Sequence, residues 1–134
     1  YTFEHLRRYG VRQAIVSCGY MPTQIEQHFG SVYGDLELEY RVEEEPFGTG
    51  GGIGFAARGL DSTFFALNGD SLREADLGRL LALHRERGAE ATILLTPVDD
   101  PSRYGVVEAD ARDPRRKAPS LRMSKACQSL RNLA

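Results

Sequence analysis

With 134 residues, 41% of them hydrophobic and 27% charged, the chain has material for one buried core and too little for two independent domains. No apolar run approaches the roughly eighteen residues needed to cross a bilayer, and the opening YTFEHLRRYG has no apolar signal core, so a cytoplasmic protein without a membrane partner is expected. The formal charge of -2 hides a division: residues 1–110 hold ten basic and eighteen acidic residues, whereas beyond Asp110 seven basic residues (Arg112, Arg115, Arg116, Lys117, Arg122, Lys125, Arg131) stand against Asp113 alone.

The first predicted element, FEHLRRYG, is a short amphipathic helix closed by Gly10 as its C-terminal cap. A chain that opens on a helix, without Met, is expected to lack the first strand of its domain. Runs of strand length rich in β-branched or aromatic residues follow at VRQAIVSC (11–18), LELEYRV (36–42), TFFALN (63–68), ATILLTPV (91–98) and YGVVEA (104–109). Between them lie helical segments: TQIEQHF behind Pro22, the stretch from Gly50 to Arg58, and EADLGRLLALHRERG, in which Leu77, Leu80, Leu81 and His84 share one face and Gly88 ends the helix. Strand and helix in alternation predict an α/β fold with a mostly parallel sheet covered on both faces. His84, beside LLAL, reads as a packing or surface residue.

Residues 111–134 contain no Val, Ile, Phe or Tyr and are expected to form a disordered basic tail. Without aromatic interleaving or a folded reader, that tail predicts no nucleic-acid partner. Cys18 sits in an apolar run and Cys127 in the tail, with no CxxC spacing and no histidine pair to complete a zinc site. Both read as free thiols of a reducing compartment.

Two loops carry the chemistry. In open parallel sheets, ligands sit beyond the carboxyl ends of the strands, where loops turn into helix N-termini. EEEPFGTGGG follows strand 36–42 and leads into a helix, and Gly50, Gly51 and Gly52 allow close approach because no Cβ intervenes. FFALNGDS releases Asn68, Gly69 and Asp70 at a strand end. Asp70 there suits a hard cation such as Mg²⁺ carrying substrate phosphates, or equally a turn or helix-capping residue. A phosphate-binding P-loop is excluded because no lysine precedes Lys117. Gly52, Gly54 and Ala57 match G-x-G-x-x-A, but EEEPFGTG separates them from the strand, and the match reads as chance.

The blocks GVRQAIVSCGYMPTQIEQHFG, EEEPFGTGGGI, FFALNGDSL and ADLGRLLALHRERGAEATILLTPVDDPSRYGVVEAD, in that order, closely resemble the sugar-1-phosphate nucleotidyltransferase family, in particular mannose-1-phosphate guanylyltransferases of bacterial type. The resemblance spans residues 1 to about 110. It implies a Rossmann-like three-layer α/β/α core of glycosyltransferase-A type that converts a nucleoside triphosphate and a sugar 1-phosphate to a nucleotide sugar and diphosphate. It further implies that Asp70 holds the catalytic Mg²⁺, that Glu45 and Gly50, with Gly51, form the base-recognition loop, and that Tyr104 and Gly105 contact the sugar. Guanine presents N1–H and N2–H₂ as adjacent donors, and a carboxylate accepts both; Glu45 therefore favours GTP.

The chain departs from the family pattern at both ends. The glycine-rich opening loop with its triphosphate-binding Arg and Lys, the E-K-P segment and the second metal aspartate have no counterpart. The expectation is a partial nucleotidyltransferase domain over 1–110, its first strand and C-terminal part missing, followed by an out-of-pattern tail and inactive as this chain. A homo-oligomer remains open for the full-length enzyme. Uridylyl or thymidylyl transfer to another sugar phosphate, and a non-catalytic nucleotide-binding or regulatory module, are the alternatives.

Overall fold

The structure, a computed structural model, describes residues 1–70, 74–95, 107–108 and 122–123. Its elements in chain order are α1 (Thr2–Arg8), β1 (Gln13–Cys18), α2 (Pro22–Phe29), β2 (Val32–Tyr33), β3 (Leu36–Val42), α3 (Gly48–Ala56), α4 (Leu77–Arg87), β4 (Val107–Glu108) and β5 (Arg122–Met123). They divide between two compact units, Tyr1–Glu74 and Ala75–Asn132.

In the first unit a three-stranded sheet has the order β1-β3-β2. β1 and β3 run parallel, in register from Gln13↔Glu37 to Cys18↔Val42. The connection between them passes through α2, as a parallel pair requires. β2 was not foreseen, and it makes the sheet mixed where a mostly parallel one was expected. It pairs antiparallel with β3 through Val32↔Glu37 and Tyr33↔Leu36. The physical reason is the two-residue turn Gly34–Asp35, in which Gly34 adopts φ +65, a conformation that closes a tight hairpin and that glycine enters without steric cost.

β3 shows the alternation of a strand with one face inward: Leu36 and Leu38 are buried while Glu37 and Glu39 are exposed. Leu36, fully buried, joins Leu6 of α1 and Cys18 of β1 among the buried apolar residues. An aromatic cluster lies beside them. Phe3 of α1 meets Phe29 of α2 edge-on at 5.2 Å and Tyr33 of β2 at 5.6 Å. α1 ends as read, with Gly10 at φ +76 and its N–H donating to the Arg7 carbonyl. α2 packs against β3 and α3 against β1.

In the second unit, α4 starts later than the sequence pattern indicated. Asp76 takes the N-cap position and accepts a hydrogen bond from the Arg79 N–H at 2.9 Å, so Glu74 and Ala75 stay outside the helix. Gly88 ends it in the left-handed conformation, as read. Leu77 is buried, Leu80, Leu81 and His84 are half-buried, and His84 Nδ1 lies 3.0 Å from the Thr92 hydroxyl, which is the packing role expected of it. β4 and β5 form an antiparallel pair, Val107↔Met123 and Glu108↔Arg122.

Two predicted strands take another form. Residues 63–68 follow no ladder, and Phe64 and Leu67 are exposed; strand composition produces a strand only where a neighbour supplies the hydrogen-bonding edge. Residues 91–95 likewise join no ladder among the described residues, and 96–98 lie outside the described residues. Of the predicted strand 104–109, Val107 and Glu108 are paired. Of the tail, only residues 122–123 are described. No described helix is long and apolar enough to cross a membrane.

Candidate functional site

The carboxyl ends of β1 and β3 lie side by side, and the turn that leaves β3 there carries the acid, proline and glycine run. The Glu43 N–H donates to the Cys18 carbonyl at 3.0 Å, which carries the β1–β3 ladder one residue into the turn. The Glu43 carboxylate then bridges two elements. Oε1 accepts from the Ser17 hydroxyl of β1 at 2.7 Å, and Oε2 accepts from the Phe47 N–H at the start of α3 at 3.3 Å.

The glycines of α3 make this arrangement possible sterically. A Cβ at Gly52 would lie 2.8 Å from Glu43 Oε1, and one at Gly51 would lie 2.7 Å from Phe47 Cβ. Gly48 opens the helix at φ +69. Gly50 and Gly52 are buried, so part of the run serves close packing of the turn against the helix. The far end of α3 is held from β3: Arg41 Nη1 donates to the carbonyls of Ala56 and Arg58 at 2.8 Å each, and its Nε pairs with Glu39 at 2.7 Å. A cation on the last carbonyls of a helix satisfies orphan acceptors and complements the helix dipole. Phe47 and Phe55, with ring centroids 5.5 Å apart, flank Gly51 on one helix face.

The predicted site residues fall as follows. Glu45 is exposed in the turn, and among the described residues no hydrogen bond or ion pair engages its carboxylate. Gly50, buried, and Gly51, half-buried, lie in the first turn of α3. Glu45, Gly50 and Gly51 are thus brought together on one turn and helix start. Asp70 is exposed in a turn with Gly69, within the same compact unit. Tyr104 and Gly105 lie outside the described residues. Among the described residues no group of three or more His, Cys, Asp or Glu is placed to hold a metal ion.

Sequence reasoning passed over Glu43, Ser17 and Arg41. Glu43 looked like one acid of a solvated run, and its tie to Ser17 joins residues 26 apart. The available signal was Gly52, a glycine buried inside a helix where glycine is costly. Cys18 is free and buried. Burial pushes its thiol pKa up, with the Glu26 and Glu43 carboxylates adding to the effect, so it stays un-ionised and unsuited to nucleophilic work.

Against this geometry, comparison with known proteins is informative. The nucleotidyl transferase family model matches residues 1–121. The chain belongs to the nucleotidyl transferase family. It is 37% identical over 114 residues to a D-glycero-α-D-manno-heptose 1-phosphate guanylyltransferase of Aneurinibacillus thermoaerophilus, a match covering 84% of this chain and 50% of that protein. It is 42% identical over 107 residues to the mannose-1-phosphate guanylyltransferase of Mycobacterium tuberculosis, covering 78% of this chain and 30% of that protein. A probable mannose-1-phosphate guanylyltransferase of rice is 35% identical over 114 residues, covering 80% of this chain and 31% of that protein. The chain therefore spans half the length of the first of these relatives and about a third of the other two.

Proposed function

We propose that this chain is part of a sugar-1-phosphate guanylyltransferase, with GTP as nucleotide and mannose 1-phosphate, or a heptose 1-phosphate of the same configuration class, as acceptor. An oxygen of the sugar phosphate attacks the α-phosphorus of GTP, the bond from that phosphorus to the β-phosphate bridging oxygen breaks, and diphosphate leaves. Positioning and neutralisation of charge supply most of the acceleration in such a transfer.

The observation that carries this reading is the 43–52 turn. It lies at the carboxyl end of a parallel strand pair, leads into a glycine-built helix, and presents an exposed Glu45 carboxylate with acceptor capacity to spare. The guanylyltransferase names of the relatives favour the guanine reading of Glu45 over uridylyl or thymidylyl transfer. Residues 1–110 lie within the nucleotidyltransferase portion in this reading, inside the family match that runs to residue 121, and contacting the sugar is the role of Tyr104 and Gly105. Asp70 is a single exposed carboxylate, a donor that fits Mg²⁺ when phosphate oxygens and water complete the shell. The ion, when bound, would neutralise phosphate charge.

The test is a titration of the chain with GTP, UTP and dTTP in the presence of Mg²⁺. GTP is expected to bind in preference, with no nucleotide sugar formed on addition of mannose 1-phosphate, since residues 1–110 hold no lysine to neutralise a triphosphate. Equal binding of the three nucleotides refutes the guanine reading. Sustained GDP-sugar formation shows that the cations are supplied from elsewhere in the chain, Lys117 and Lys125 being the first to replace.

A further inference from the structure

We propose that Ser17 and Glu43 form a latch that sets the conformation of the glycine turn, and that both are positioning residues for nucleotide binding; the functional half of this inference rests on the reading of the turn given above. The turn lacks the usual local means of fixing itself. Phe47, the N-cap residue of α3, makes no side-chain cap hydrogen bond, and the first five residues of the helix, 48–52, include four glycines, the residue type that loses most conformational freedom on folding.

The group that compensates comes from four residues earlier. One Glu43 carboxylate accepts from the Phe47 N–H and from the Ser17 hydroxyl, so the start of α3 is tied to the end of β1 through a single side chain. Hydrogen bonds to an ionised acceptor are stronger than neutral ones, and here both converge on one carboxylate. Gly52 leaves the slot that the carboxylate occupies. Glu45 follows Glu43 by two residues and precedes Phe47 by two, so its backbone position is fixed by latch contacts on both sides. Glu43 orders the loop in this scheme, and Glu45 faces the ligand.

The experiment is backbone amide hydrogen exchange by NMR on the full chain and on Ser17→Ala, Glu43→Ala and Glu43→Gln, each paired with titration by GTP and UTP. Gln preserves the latch: its carbonyl accepts from Phe47 N–H, while its amide donates to Ser17 Oγ, a hydroxyl that also accepts. Glu43→Ala should speed exchange at the Phe47 amide about tenfold or more, the worth of a hydrogen bond to a charged group, and Ser17→Ala should do so to a smaller extent. Glu43→Gln should restore protection. GTP and UTP affinities should fall by the same factor in Glu43→Ala, because the latch orders the loop without reading the base, and recover in Glu43→Gln.

Unchanged Phe47 exchange in both alanine variants overturns the latch, as does a Glu43→Gln variant with an intact β1–β3 amide pattern that is as impaired as Glu43→Ala. A GTP/UTP ratio that changes in Glu43→Gln assigns base reading to Glu43 itself and overturns the positioning role. If the unsubstituted chain binds no nucleotide, the nucleotide reading of the turn fails, while the exchange rates still decide whether the latch exists.

Discussion

At the amino end of the β1–β3 pair the fastening is ionic and arginine-rich. Arg7 of α1 reaches Asp35 through Nε and Glu4 through Nη1, Arg12 reaches the other Asp35 oxygen at 2.9 Å, and the Arg7 guanidinium lies 5.9 Å from the centre of the Tyr33 ring. At the carboxyl end the Glu43 carboxylate is held by a hydroxyl and a backbone N–H, and near it Glu45 has no partner among the described residues. Where charges are matched by counter-charges within the protein, the surface has little left to offer a ligand. The end that keeps an open acceptor and close-approach glycines, its one described arginine, Arg41, being already committed to Glu39 and the α3 carbonyls, is the one suited to binding.

The comparison predicts that substitutions at the amino end change stability and leave nucleotide binding alone, and that those at the carboxyl end do the reverse. The largest stability effect is expected from Leu36→Ala, which empties the position of a side chain with 0% exposure at the first residue of β3. Its cost should be about 2–5 kcal/mol, the range for buried leucine truncations, measured by denaturant unfolding. A loss below about 1 kcal/mol would mean that this region can collapse around the gap.

For function, the largest effect is expected at Asp70. Asp70→Asn should remove the Mg²⁺-dependent part of GTP binding while the chain still unfolds cooperatively. A magnesium dependence equal to that of the unsubstituted chain excludes Asp70 from holding the ion. Glu45→Gln should weaken GTP relative to UTP by about 1–3 kcal/mol, since the amide offers one acceptor oxygen and sets a donor NH₂ against the second guanine donor. An unaltered ratio identifies Glu45 as one more solvated acid.

Gly52→Ala separates the two properties at one position. Alanine favours the helix by about 1 kcal/mol, but its Cβ takes the space of the Glu43 carboxylate, the movable end of a side chain. Stability should therefore stay within about 1 kcal/mol of the parent while GTP affinity drops, read by melting and titration on the same sample. The smallest effect concerns acid. The hydrogen bond from Arg7, aided by the Arg12 charge, holds the Asp35 carboxyl below its usual 3.8. A depressed carboxylate contributes stability above its unfolded-state value and loses that contribution as pH falls through the folded-state value. Asp35→Asn should accordingly melt lower than the parent at neutral pH, with the gap closing in acid. A gap independent of pH would show that the pair acts through packing alone.

Local patterns legible in the sequence were largely reproduced. Residues 36–42 became a strand over the same span, the face formed by Leu77, Leu80, Leu81 and His84 points inward to differing degrees, and Gly10 and Gly88 stop their helices. These features depend on side-chain periodicity and on backbone angles that a residue type permits by itself, so no partner element need be known. The four motif blocks likewise carry the family resemblance in residue identity and spacing alone.

Tertiary structure decided what depends on a partner distant in the chain. Residues 63–68 have the composition of a strand but pair with no strand among the described residues, and Val32–Tyr33 became one because the Gly34 turn delivered it to β3. Among three consecutive acids, composition could not tell that Glu43 would be engaged by Ser17 and that Glu45 would stay exposed, because that choice is made by the parallel register placing Cys18 opposite Val42. Sequence determines which groups are available. The register of β1 on β3 determines which of them meet, since a hydrogen bond forms only between groups brought to within about 3 Å with aligned donors.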